Sequence, residues 1–161
     1  MLDSIKQKLE QINLIDKTKY KKAGVLIILL EDERDGEYKL LFTKRSSNLS
    51  THSGEVSFPG GMREEHDSSL YDTALRESNE EINLDLNNIE KLGRLNFLLS
   101  RHKIEVHPFV GILCNPQEFK GNYEIDEIFN VPISFLLDKS NISYKEFNRK
   151  DLKVYIPSWV Y

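Results

Sequence analysis

ALRESNEEINL, residues 74–84, is written for a helix that carries its charge in the wrong place. Leu70, Ala74, Leu75 and Ile82 recur at helical spacing and make one apolar face, and Ser69 with Asp72 offers a capping box at the start. Glu77, Glu80 and Glu81 fall at i, i+3 and i+4, so the helix stacks carboxylates toward its C-terminal end, where the macrodipole already disfavours anions. Each like-charged neighbour pair costs roughly 0.2–0.5 kcal/mol. Glu77 and Glu81 border the buried face and Glu80 lies one step round. A hard divalent cation turns such repulsion into coordination, because Mg²⁺ binds through carboxylates and substrate phosphate oxygens. Arg76 can pair with Glu80 at i+4 and hold it. RESNEE by itself also reads as a solvated face; the residues upstream favour the ligand. Phe58-Pro59-Gly60-Gly61 sets two glycines at a strand end, where backbone carbonyls approach a ligand without side-chain obstruction.

Outward from this helix, the pattern is mostly β. AGVLIILLE (23–31) is continuous and rich in β-branched residues, as a strand buried on both faces is. Asp35-Gly36 marks a hairpin turn into KLLFTK (39–44). Residues 45–54 read as a loop, EVSF (55–58) as a short strand, and PGG as its abrupt end. RLNFLLS (94–100) and IEVHPFVGILC (104–114) read as two strands joined by a basic turn. IFNVPISFLL (128–137) reads as a strand passing at Pro132 into a short helix, and ISYKEF with LKVYI as a last hairpin. Apolar residues from Leu2 to Ile15 predict an amphipathic helix over 2–16. Strands before and after one central helix, with helices at the edges, imply an α+β fold: an α/β/α sandwich with a central mixed sheet. A chain of 161 residues makes one domain.

Composition narrows the function. The net charge of −4 gives no electrostatic case for nucleic-acid binding. The longest apolar run, Ala23 to Leu30, is too short to span a membrane, and Asp3, Lys6, Lys8 and Glu10 interrupt any leader-like pattern, so a cytoplasmic location is expected. Cys114 stands alone among apolar neighbours and reads as core filler. The histidines at 52, 66, 102 and 107 lack metal-site spacing; His107 reads as structural, and His52 as a residue that could touch substrate.

Gly61, Asp67 and then ALRESNEEINL resemble the Nudix box, a glycine and an acid followed by Arg-Glu-x-x-Glu-Glu-x-Gly, here over residues 61–84. The spacing from Gly61 to Arg76 is one residue longer than the commonest form, as in the coenzyme A pyrophosphatase branch. LLFTKRSSNLSTHSGEVSFPGG (40–61) resembles that branch's upstream signature at Thr43, Arg45, Ser46, Gly54 and Phe58-Pro59-Gly60-Gly61. HPFVG and EIDEIFNVP resemble the family's later strand and Glu-rich segment. The chain departs from the pattern at Ser50, where the branch usually has a second arginine, at Asn83 in place of the box glycine, and at IPSWVY, where relatives continue into a last helix. Asn83 should spare the geometry, since Asn follows Gly as the residue of choice in the left-handed C′ position.

The resemblance implies hydrolysis of a diphosphate bond in a nucleoside-diphosphate-linked small molecule, with coenzyme A as the leading substrate. Glu77, Glu80, Glu81 and the Gly61 carbonyl would be ligands of Mg²⁺ or Mn²⁺. Arg76 would orient the carboxylates, and Glu124 aligns with a loop glutamate that serves some relatives as ligand or base. Lys44, Arg45, His52 and Gly60 are the candidate substrate contacts. The implied enzyme works as a monomer or homodimer, without nucleic acid or membrane. Another Nudix substrate, or a Nudix-fold binding module without turnover, are the competing readings.

Overall fold

The computed structural model describes residues 1–12, 19–48, 54–149 and 152–161. Lys21–Glu31 forms β1, the spine of a mixed sheet. Its uninterrupted apolar run suits its position, because both faces are covered. Tyr38–Arg45 (β2) returns from the Asp35-Gly36 turn and pairs antiparallel with β1 from Leu40 to Tyr38. Val56–Ser57 (β3) then pairs with Thr43 and Lys44 of β2.

Pro59-Gly60-Gly61 does not end the sheet, contrary to the expectation from its turn-forming residues. Gly60–Met62 is a strand, β4, antiparallel to Ala23–Val25 of β1. Gly60 has φ 150°, and a Cβ there would overlap Gly24 O and Val25 Cα, so glycine lets the chain dock on β1. β2 and β4 thus share one side of β1, at opposite ends, and the sheet is split between them.

Leu70–Ile82 is α2, and its N-terminus is capped as the sequence implies, with Ser69 Oγ accepting from the Asp72 N–H at 3.1 Å. Asn83 closes it in the left-handed region, φ 57° and ψ 40°. Ile89–Arg94 (β5) and Leu98–Leu99 (β6) both pair with Ile104–Leu113 (β7), which runs parallel to β1. The strand expected over 94–100 is therefore broken: β5 ends at Arg94, and pairing resumes only at Leu98 and Leu99, which are exposed. Core position outweighs the apolar run here, since Leu92 of β5, upstream of the expected strand, is buried while Leu98 and Leu99 are not. Ile125–Pro132 (β8) pairs with β2 and passes into Ile133–Leu137 (α3) at Pro132, as expected. Ser143–Arg149 (β9) and Leu152–Ser158 (β10) form the closing hairpin as a separate two-stranded sheet.

The expected α/β/α sandwich follows from two cores. Leu26, Ile28, Leu41 and Phe109 meet Ala74 and Ile82 of α2 on one face. On the other, Leu29, Leu92 and Val110 meet Leu9 and neighbours of the N-terminal helix, with Ile133 of α3 packed against them. That N-terminal helix, α1, spans Leu2–Glu10, shorter than 2–16; Leu14 and Ile15 lie outside the described residues. Cys114 is exposed, not core filler, because the chain leaves the sheet after Leu113. No helix among the described residues is long and apolar enough to cross a membrane.

Candidate active site

The acidic half of α2 lies over β4 and is tied to it residue by residue. Arg76 Nη2 donates to Met62 O at 3.1 Å, and the Gly60 N–H donates to Glu81 Oε2 at 3.1 Å. The Glu77 carboxylate rests directly on Gly61, where a Cβ would overlap it. Gly61→Ala is expected to displace that carboxylate and lower turnover by on the order of a hundredfold, read as kcat at unchanged melting temperature. An unaltered kcat would remove Glu77 from the chemistry.

Arg76 is the hub. Its Nε donates to Asp67 Oδ1 at 3.0 Å and its Nη2 to Asp67 Oδ2 at 3.1 Å, a paired contact that fixes the guanidinium plane. Its Nη1 then reaches Glu80 Oε2 at 3.2 Å and Glu77 Oε1 at 3.0 Å. Asp67 is buried and also accepts from the Glu64 N–H at 2.8 Å and Thr73 Oγ1 at 2.9 Å. Arg76 above all holds the Asp67 carboxyl well below the usual carboxylate range, and Asp67 in turn raises the arginine. The i+4 pair expected between Arg76 and Glu80 is present, but the arginine's main partner is Asp67, nine residues back. Sequence matched Asp67 to the motif's first acid and could not pair it, because no periodicity links a loop residue to a helix face.

The C-terminal carbonyls of α2 need hydrogen-bond donors from elsewhere, and the loop after β7 supplies them. Lys120 N–H donates to Ile82 O at 3.1 Å, Asn122 N–H to Glu81 O at 3.0 Å, and Gln117 Nε2 to Asn83 O at 2.6 Å. This brings Glu124 to the site. Arg45 stands between, with Nη2 at 2.7 Å from Glu124 Oε2 and Nη1 at 3.4 Å from Glu81 Oε1. Lys44 is exposed and lies 3.7 Å from Glu127. His52 and Ser50 lie outside the described residues. His107 is structural, as expected: it is buried, with Nε2 at 3.1 Å from Glu105 Oε2.

Burial raises Glu77, against the opposing pull of Arg76. Burial pushes the Glu81 carboxyl up to about 7; the Gly60 N–H and Arg45 oppose this, and Glu77 and Glu124 add to it. As they stand, the described residues hold no group of three His, Cys, Asp or Glu side chains close enough to bind an ion. Their chemistry nonetheless fits a hard divalent cation. The donors are all oxygen, and Glu81 is a carboxylate at 5% exposure whose charged form is disfavoured chiefly by burial. Glu77, Glu80, Glu81 and the Gly61 carbonyl would hold it.

Comparison with known proteins agrees with this geometry. The model of the NUDIX domain matches residues 20–132. Nudix hydrolase 22, chloroplastic, of Arabidopsis thaliana is 44% identical over 131 residues, covering 80% of this chain and 43% of that protein. The peroxisomal coenzyme A diphosphatase ndx-8 of Caenorhabditis elegans is 33% identical over 144 residues, covering 88% and 62%. The chain thus spans less than two thirds of the length of these relatives. A Nudix hydrolase from M. smegmatis, RenU, shares the fold at TM-score 0.62 and 17% identity, with 74% of each chain covered. A glycine strand, an acid-backed arginine and a row of helix glutamates, found together within a matched domain that takes up most of the sequence, mean that this chain belongs to the NUDIX domain family.

Proposed function

We propose that the domain hydrolyses the diphosphate bond of a nucleoside-diphosphate-linked small molecule in the cytoplasm, with coenzyme A or an acyl-CoA as substrate and 3′,5′-ADP and 4′-phosphopantetheine as products. The observation that carries the hydrolytic reading is the acidic face of α2, braced by Asp67 and Arg76 against the Gly60–Met62 strand. The coenzyme A reading draws on the upstream signature and on the likeness to the nematode coenzyme A diphosphatase.

A divalent cation, Mg²⁺ or Mn²⁺, would supply neutralisation of the diphosphate charge and acidify the attacking water. The chain's own residues do the rest. Arg76 orients Glu77 and Glu80, and the Gly60 N–H orients Glu81. Glu124, with a side chain 30% exposed, is open to solvent and is the candidate to accept a proton from water. Lys44 is free enough of cover to meet a phosphate, and Arg45, whose Nη1 and Nη2 already reach Glu81 and Glu124, could do so with their remaining N–H groups.

The test is a substrate panel with Mg²⁺ or Mn²⁺. Coenzyme A is expected to be cleaved faster than nucleotide sugars or damaged nucleotides, and Glu77→Gln is expected to lower turnover by on the order of a hundredfold. Ser50, in place of the branch's arginine, favours a second reading, a Nudix hydrolase for another nucleotide. Cleavage of a nucleotide sugar but not coenzyme A would establish it. Binding without any turnover would make the domain a ligand-binding module.

A further inference from the structure

We infer that Arg45 is a positioning residue that latches Glu124 of the 114–124 loop to Glu81 of α2 and weakens the site's affinity for a divalent cation. This rests on the metal-site reading above. The side chain is aimed by a local irregularity: Lys44 pairs with Glu127 and Arg45 with Ile125, so Asp126 is an extra residue in β8. Such bulges bend a strand and redirect side chains beside active sites. Asp126 is itself tied down, accepting from the Ser47 N–H at 3.0 Å. The Arg45 backbone is fixed as well, with its N–H donating to Glu55 O at 2.9 Å and its carbonyl accepting from the Gly54 N–H at 3.1 Å.

The guanidinium that results is not seated as a structural strut would be. It bridges acids 36 and 79 residues away in sequence, at 3.4 and 2.7 Å. Yet its Nε is buried and has no hydrogen-bond partner among the described residues. A buried unmade hydrogen bond costs about 1–3 kcal/mol, which a residue selected only for stability would not retain. Arg45 Nη1 sits on the same Glu81 carboxylate that a cation would take. One fixed positive charge beside the acids therefore opposes a second, while the bridge keeps Glu124 aligned with the helix. Arg76 also reaches two candidate ligands, Glu77 and Glu80, but its paired contact is with Asp67, which is no candidate ligand, whereas both partners of Arg45 named here belong to the site.

Mn²⁺ binding to the whole chain, followed by the electron paramagnetic resonance of the free ion, separates the two effects. Arg45→Gln is expected to bind Mn²⁺ about tenfold more tightly, because a like charge has been removed a few ångströms away, and to turn substrate over about tenfold more slowly, because Glu124 is no longer held. Arg45→Lys keeps the charge without the planar fork. It is expected to bind Mn²⁺ as the wild type does and to remain slow, which also guards against a misfolded glutamine variant. Unchanged or weaker Mn²⁺ binding by Arg45→Gln, with Glu81→Gln binding poorly, would overturn the latch and leave the metal site standing. Mn²⁺ binding that ignores Glu77→Gln and Glu81→Gln alike would instead overturn the metal site itself.

Discussion

Asp67→Ala is expected to destabilise the domain by about 2 kcal/mol, because it strips a largely covered arginine of its main anion and leaves Glu77 and Glu80 as its remaining partners on α2. The Arg76 side chain is only 17% exposed, and the donors of Thr73 and Glu64 lose their acceptor with it. Turnover should fall by about 10–100-fold as well, since Glu77 and Glu80 are oriented by the same guanidinium. Asp67→Asn keeps the volume but not the charge and is expected to show most of both losses. The pH dependence follows from the depressed carboxyl. Between its native value and the ordinary 3.8, the unfolded chain binds a proton that the native protein does not, so stability falls as pH drops through that window. Above 3.8 the contribution of Asp67 is fully present. Urea midpoints measured at neutral pH and near pH 3 check this: the difference between wild type and Asp67→Asn should shrink in acid. Equal midpoints at neutral pH would show that the Asp67–Arg76 contact supports nothing.

Glu81→Gln should have the opposite effect on stability and a larger one on activity. The native carboxyl, raised to about 7 by burial, lies above its ordinary 4.5. Between those values the native protein holds a proton that the unfolded chain has lost, so the contribution of Glu81 is complete below 4.5 and is lost as pH rises through about 7. At about pH 8, with chelator present, the glutamine variant is expected to be more stable by on the order of 2 kcal/mol, its amide oxygen still able to accept from the Gly60 N–H. Turnover should nonetheless drop by at least about a hundredfold, because the neutral amide is a poor partner for a cation or a proton. Thermal unfolding across pH together with steady-state kinetics checks both parts. A variant less stable than wild type at high pH would mean that the Arg45 contact outweighs the burial of Glu81. The pairing of higher stability with lost activity is the expected mark of a site whose charges are kept for function.

Local signals carried much of this protein. The apolar spacing of Leu70, Ala74 and Ile82, the Ser69 cap, the left-handed Asn83 and the continuous run of β1 each depend on residues a few positions apart, so sequence by itself determined α2, β1, the Asp35-Gly36 hairpin and the β8–α3 junction. The carboxylate row was legible for the same reason: helical periodicity alone sets which glutamates share a face. Contacts across the chain were not. That Asp67 backs Arg76, that Gly60–Met62 joins β1 as a strand, and that Arg45 meets both Glu81 and Glu124 depend on the split between β2 and β4 and on the extra residue in β8. Register and burial exist only once the sheet is assembled, and they alone decided which charges of the row are braced, which are desolvated, and which remain open to solvent.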